Sequence, residues 1–395
     1  MGKKDIKKIG ILNCGHIINF GSVLQSYAME KIVMDITGRQ AESIRYIQKK
    51  DIYYLIHYFP QIFDKGIAQF KMSGIKRKLY LNFFNRKLGK KCNEREKYFK
   101  RFVKKHFHLS PCYIGKKCLV REVESYDGFV LGSDQVWHPI NLGSHFYTME
   151  WIPEHIPKIT YASSFGVSEI SRRQQKQVGN YLNRIDKISV REQKGAEIIR
   201  GLTGRSVSVV ADPTILLAEE HWKYLFETTT EKNYILCYFL GGNRAGREYA
   251  ERLKEKTKMK ILTIPFMDEI NKIDFEFGDI QLFDIGPGEF LSYIYNADYI
   301  ITDSFHGTVF SVLFKRQFVV FNRFAESEKR STNSRIDTLL ENLNLLSRRV
   351  TSSGEMDIEL MDREIDYGSV SELLKIQRER SLDYLKKALE TYDMV

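Results

Sequence analysis

The sequence predicts an α/β protein of two Rossmann-like halves with a cleft between them, and three observations predict it. Short apolar, β-branched runs alternate with segments of helical period, as in residues 159–163, 172–184 and 187–190, and this alternation marks a parallel sheet. The pattern closes at Asp212-Pro213-Thr214 and begins afresh at Tyr234. At 395 residues the chain is also longer than one hydrophobic core usually serves. The first half is therefore drawn over 1–217 and the second over 218–375, with 376–395 a helix expected to return to the first half.

The pattern starts with an apolar strand over 9–13, the loop CGHIINFGS and a helix over 23–37 closed by Gly38. Gly15 and Gly21 allow a tight backbone path, and Asn13 and Asn19 offer amides at the strand's carboxyl end, where open α/β folds bind ligands. The plainer reading is a turn whose asparagines only bond the backbone. The loop is not GxGxxG, so it makes a weak nucleotide fingerprint. Residues 51–110 read as a basic, aromatic helical excursion, in which Leu79, Phe83 and Phe84, then Phe99 and Phe102, have helical spacing. Residues 126–131 return to strand, followed by GSDQVWHP. Ser133, Asp134, Gln135 and Trp137 there have the composition of a carbohydrate- or acid-binding loop, unless Asp134 caps a turn and Trp137 fills core. The strand over 187–190 ends at Arg191, which could clamp a carboxylate or phosphate through two bonds, or merely pair with Glu192.

In the second half, a strand over 234–240 ends in Gly241-Gly242-Asn243-Arg244, a helix over 247–258 and a strand over 261–266 follow, and Gly286-Pro287-Gly288 precedes a helix over 289–296. That helix delivers the chain to ADYIITDSFHGTVFSVLF, the stretch around which the sequence is organised. Tyr299, Ile300 and Ile301 form a buried strand, Ser304 is a natural N-cap, and His306 with Gly307 falls where a helix N-terminus meets the carboxyl edge of a sheet. Histidine moves protons near neutral pH, and glycine lets a ligand approach the backbone. Against this stands the bland reading of a histidine bonded within its own loop. A strand over 318–321, a polar segment with Arg323, Asn333 and Arg335, and a helical tail over 369–392 complete the chain.

Composition excludes several classes. Five scattered cysteines without a CxxC pair argue against a disulfide framework, the N-terminus lacks the apolar core of a signal peptide, and no run approaches a membrane span, so a cytoplasmic location is expected. No metal set stands out, since Cys14 with His16 is isolated and Cys112 and Cys118 lack a second pair. Between Lys65 and Lys105 fifteen Lys or Arg face two acids, a balance of +13 that leaves −2 of the total +11 for the rest of the chain. No nucleic-acid-binding motif accompanies that charge, so nucleic acid is not expected as a partner. A solvated helix face and peripheral contact with anionic membrane are the two readings of 65–105, the second keeping the protein at the inner face of the membrane.

The segments NCGHIINFGSVLQSYAM, DGFVLGSDQVW, YASSFG, SVREQKGAE, VVADPTILL, NADYIITDSFHGTVFSVLF and SRIDTLL, in this order, resemble the polysaccharide pyruvyl transferase family. The resemblance implies a GT-B-like architecture, phosphoenolpyruvate as donor, no cofactor, and as acceptor a saccharide or lipid-linked glycan with two nearby hydroxyls. It carries the catalytic roles to His306 and Arg191. Around these two, the residues at the strand ends are assigned by position: donor binding to Ser304, Gly307, Thr308, Gly241, Gly242, Asn243, Arg323 and Arg335, and acceptor binding to Asn13, Gly15, Asn19, Gly21, Gln25, Ser133, Asp134, Gln135 and Trp137. One departure stands out. Many members have an arginine two residues before the histidine, where this chain has Ser304-Phe305-His306, and Arg323 or Arg335 is expected to replace it. Ketal formation needs a general acid, assigned to His306, and an anion clamp, assigned to Arg191 with the helix N-terminus. Two rival readings are a glycosyltransferase with a nucleotide-sugar donor and a non-catalytic glycan- or membrane-binding protein on the same scaffold.

Overall fold

The computed structural model describes residues 8–15, 17–49, 72, 80, 85–141, 146–267, 272–323, 333–350 and 357–390. The chain forms two compact units, one of residues 1–68, 103–217 and 375–395 and the other of residues 69–102 and 218–374. Each is built on one wholly parallel sheet.

In the first unit the strands are β1 (Lys8–Leu12), β2 (Ala41–Ile47), β3 (Leu109–Ile114), β4 (Tyr126–Leu131), β5 (Lys158–Ser163), β6 (Lys187–Val190) and β7 (Ser208–Val209), in the order β3-β2-β1-β4-β5-β6-β7. Helix α1 (Phe20–Thr37) leaves β1 and is buried on nearly every side from Phe20 to Val33, so it cannot show the polar stripe of a surface helix. Asn19 caps its start by accepting the Ser22 N–H at 3.1 Å, and Gly38, in the left-handed region at φ 64°, ends it. The core gathers Leu12, Phe129, Leu131, Trp137, Phe165, Tyr181 and Val190. The end of the chain belongs to this unit. Arg378 donates to the Ile215 carbonyl at 2.8 Å, and Ser381 Oγ accepts the Ala211 N–H at 3.0 Å.

In the second unit the order is β10-β9-β8-β11-β12-β13, made of β8 (Tyr234–Tyr238), β9 (Lys260–Thr263), β10 (Ile280–Gln281), β11 (Tyr299–Thr302), β12 (Gln317–Phe321) and β13 (Arg349–Val350). Its core joins Ile235, Phe239, Tyr249, Ile261, Ile301, Val319 and Phe321. Both sheets reverse direction once. The order runs outward one way from β1 and the other way from β4, and likewise from β8 and β11, so each unit has one switch point where loops diverge and a crevice opens at the carboxyl ends of the strands.

Residues 69–102 lie with the second unit, not with the first where the sequence reading placed the excursion over 51–110. The reason is visible in helix α2 (Arg86–His106): buried Arg95 donates to the carbonyls of Phe283 at 2.6 Å, Pro265 at 2.8 Å and Leu282 at 2.6 Å, while Leu88 packs with Met267 and Phe283. Leu79, Phe83 and Phe84 lie outside the described residues, whereas Phe99 and Phe102 are buried as their spacing required. Replacing Arg95 by Met would leave three carbonyls without their donor, at a cost on the order of 1–3 kcal/mol for each that water cannot reach. A urea titration should therefore show Arg95→Met at least about 2 kcal/mol less stable, while Lys97→Met on the exposed face should stay within about 0.5 kcal/mol of the parent.

Candidate functional site

At the switch point of the first unit the chain leaves β1 through Asn13, Cys14 and Gly15 and leaves β4 through Gly132, Ser133, Asp134 and Gln135. Asp134 adopts φ 82°, a left-handed conformation that costs a non-glycine residue on the order of 1–3 kcal/mol and persists only where the surroundings enforce it. They do so here. Its Oδ1 accepts the Gln135 N–H at 2.9 Å, its other carboxylate oxygen accepts the Ser22 hydroxyl, and its backbone carbonyl accepts the N–H groups of Val136 at 2.8 Å and Ser164 at 2.9 Å.

Beneath this loop Arg191 lies almost wholly buried between two carboxylates, with Nη1 2.7 Å from Asp212 Oδ2 and Nη2 3.6 Å from Asp134 Oδ1. Ser133 completes the set by donating to Asp212 Oδ2 at 2.9 Å, and Asp212 Oδ1 accepts both the N–H and the hydroxyl of Thr214. Burial works against the guanidinium's charge, but Asp212, Asp134 and Glu192 outweigh it, so Arg191 holds its proton more tightly than usual. The guanidinium expected to clamp an anion pairs here with the protein's own carboxylates and braces the Ser133-Asp134 loop.

Several acceptor residues expected from sequence also serve the interior. Trp137 is fully buried against Phe165 and Tyr181 and donates to the Tyr147 carbonyl, as its core reading had it. Asn13 spends its amide on Ser43 Oγ at 2.8 Å and on the Gly15 N–H at 3.0 Å. Ser43 in turn donates to Glu30, whose Oε1 accepts the His108 N–H at 2.7 Å; burial raises the proton affinity of this carboxyl despite those bonds. Gln25 is buried in α1, where it donates to Ser22 O and Ser26 Oγ, and Gly15, Gly21 and Ser133 are buried as well. Cys14 is no nucleophile, for burial first and Asp134 second push its thiol up to about 12. Asn19, Asp134 and Gln135 remain partly exposed.

At the switch point of the second unit the Gly241-Gly242-Asn243 loop after β8 meets the Asp303-Ser304 turn after β11, which opens directly into the helix carrying Phe305 and His306. Asn243 caps helix α3 (Arg244–Thr257) through the Gly246 N–H at 2.9 Å and donates to the Asn322 carbonyl at 3.2 Å, tying in the loop after β12. Buried Arg247 holds the same loop from below, donating to the carbonyls of Gly241 and Asn243, and pairs with Asp274. Arg323 stands over the Phe266 ring at 5.6 Å, with Nε 3.8 Å from where a side chain at Gly241 would begin.

Helix α4 (Phe305–Leu313) opens with Ser304 as N-cap, its Oγ accepting the Gly307 N–H at 3.2 Å. Gly307 was expected to admit a ligand, but a Cβ there would lie 2.7 Å from Thr302 Oγ1 and 3.3 Å from Tyr238, so the missing side chain serves packing inside the unit. Thr308 is likewise buried, its hydroxyl returned to the Ser304 carbonyl at 2.9 Å. His306 is 7% exposed and sets its ring edge-on to Phe305, centroids 5.1 Å apart, while the Arg335 guanidinium lies 5.8 Å from the centroid of that same Phe305 ring. Arg335 comes from helix α5 (Ser334–Asn342), so a proton carrier and a cation distant in sequence share one aromatic ring.

Asp303 is the group whose part the sequence understated. Its Oδ1 accepts the Leu240 N–H at 2.7 Å, locking the β8 loop to the β11 loop. Burial raises its pKa from 3.8 to about 6 against the opposing pull of that N–H and of Arg323 and Arg247. The signal available was the TD pair ending a buried strand. Asp212 had a comparable one in the Asp-Pro-Thr helix start. No group of His, Cys, Asp and Glu among the described residues is arranged to hold a metal ion.

The family model described as polysaccharide pyruvyl transferase matches residues 19–323. No curated protein matches the sequence. Among solved structures, the chain is similar to the UDP-GlcNAc 2-epimerase of Neisseria meningitidis bound to UDP-GlcNAc, at 8% identity and TM-score 0.44, covering 95% of this chain and 100% of that one. A glycotransferase of kitacinnamycin matches at 12% identity and TM-score 0.47, covering 97% and 99%. The E. coli ADP-heptose lps heptosyltransferase II matches at 10% identity and TM-score 0.36, covering 98% and 99%. Likenesses this remote say nothing about substrate.

Two measurements check the charge arrangement. Arg191→Ala leaves the buried Asp212 carboxylate without its cation, with the partly exposed Asp134 nearby, and should cost roughly 3–5 kcal/mol in denaturant unfolding. For Asp303, a folded pKa above the unfolded one means that its contribution to stability is full below about 3.8 and is lost as pH rises through about 6. Asparagine cannot ionise yet still accepts the Leu240 N–H. The stability of Asp303→Asn relative to the parent should therefore climb between pH 4 and pH 7, by thermal unfolding in matched buffers; a difference independent of pH would show that Asp303 does not titrate in this range.

Proposed function

Because the chain belongs to the polysaccharide pyruvyl transferase family, we propose that it moves pyruvate from phosphoenolpyruvate onto two hydroxyls of a sugar, forming a pyruvate ketal on a cell-surface glycan or its precursor. The observation that carries this reading is the pairing of His306 and Arg335 on the Phe305 ring at the carboxyl end of β11. Enol-ether chemistry needs one group to give a proton to carbon and another to hold an anion, and these two residues supply both on one support.

In this reading His306 delivers a proton to the donor's methylene carbon. The adjacent carbon becomes electrophilic, and an acceptor hydroxyl adds to it, its proton returning to His306. Phosphate leaves with the electron pair of its C–O bond, the second hydroxyl adds to the same carbon, its proton passes to the departing phosphate, and the ketal closes. Arg335 meets the donor's negative charge with a planar guanidinium, in place of the arginine absent before His306, and Arg323 beside Gly241 is the second cation at this sheet edge. Asn19, Asp134 and Gln135, the predicted acceptor residues left partly exposed, are the groups proposed to take the sugar hydroxyls, with Arg191 as a positioning residue behind Asp134. No cofactor enters this scheme.

Phosphoenolpyruvate should protect the protein against thermal unfolding, and an acceptor panel that includes lipid-linked intermediates should yield phosphate together with a product heavier by one pyruvate ketal. Protection by a nucleotide sugar instead, or neither phosphate release nor mass gain across a broad panel, would sink the reading. His306→Gln should lower turnover roughly a hundredfold to ten-thousandfold with little change in donor affinity. Arg335→Lys should chiefly weaken the donor, by losing the two-bond fork.

A further inference from the structure

The basic excursion resolves, in its described part, into the outer face of α2. With about 100° per residue, the buried residues Leu88, Arg95, Phe99 and Phe102 fall on one narrow stripe. On the opposite face, and all exposed, lie Arg86, Lys90, Lys97, Lys100, Arg101, Lys104 and Lys105. Glu94 is the exposed acid among them and pairs with Lys97 at 2.7 Å, while half-buried Glu96 pairs with Lys100 at 2.6 Å. At 1.5 Å per residue these cations make a straight row about 28 Å long.

We infer that this face of α2 docks the protein on an anionic lipid surface. A straight, convex row suits a plane of negative headgroups, where all the cations engage together; it offers no concave seat to a small anion. Duplex phosphates wind away from a straight rod within a turn, so nucleic acid would meet only part of the row. The exposed face carries no large apolar side chain to insert between lipids. Contact is therefore electrostatic and peripheral, scales with the density of anionic lipid, and is screened by salt. No helix among the described residues is long and apolar enough to cross a membrane. This inference is independent of the proposed reaction.

The test is sedimentation of the full chain with vesicles of phosphatidylcholine alone and of phosphatidylcholine mixed equally with phosphatidylglycerol. Binding should appear only with the mixed vesicles and disappear when salt is raised to about 0.5 M. The triple variant Lys90→Gln, Lys97→Gln, Lys104→Gln should lose roughly a hundredfold in partitioning, at about a fivefold step per cation removed. Because all three side chains are exposed, its thermal unfolding should match the parent's. Equal binding to both vesicle types, binding to neither, tight binding to a short DNA duplex without vesicle binding, or unchanged binding by the triple variant would each overturn the assignment.

Discussion

A parallel sheet whose strand order reverses once leaves two neighbouring loops pointing apart, and the polar architecture of both units follows from that constraint. In one the loops follow β1 and β4, in the other β8 and β11. Such loops cannot satisfy each other through a ladder of backbone bonds, so side chains must hold them. Asp134, Arg191, Asp212 and Ser133 do this in the first unit, and Asp303, Asn243 and Arg247 do it in the second.

The two solutions are opposite in sign. The first unit buries a cation between carboxylates, so Arg191 stays charged and Asp134 is fixed in a conformation that asparagine or glycine would adopt more readily. The second buries a carboxylate among arginines, and the arginines only partly offset its burial, so Asp303 holds its proton to an unusually high pH. One loop is thereby braced by a permanent charge and the other by a titrating one. Phe305 adds a third device, since a phenyl ring supports an imidazole set perpendicular to it and a guanidinium over its face without bonding to either.

Helix α2 shows how much one amphipathic element can carry. Its inner stripe places a guanidinium where three carbonyls at the end of a sheet need donors, and its outer face collects seven of the fifteen cations of residues 65–105. The dense lysine pattern signalled only the outer face. Arg95 is one cation among many in sequence, and nothing local distinguishes it.

The sequence by itself determined the α/β alternation, the restart after Asp212, and the helices with clear ends, because hydrophobic period and caps are local properties: Gly38 and Ser304 end and begin their helices where expected. It also marked both loop sets, since polar residues after apolar strands stand out. Strand β3 escaped notice because Pro111 and its polar neighbours suit an edge strand, the place the sheet order assigns to it. Only the tertiary structure decided which loop side chains face inward. Trp137, Gln25, Asn13 and Thr308 satisfy buried partners, Arg191 is spent on two carboxylates, and Arg335 reaches Phe305. Each of these outcomes depends on partners well removed in sequence or on the burial of a whole element, and a polar side chain's type reports that it needs a partner without reporting which one the fold will supply.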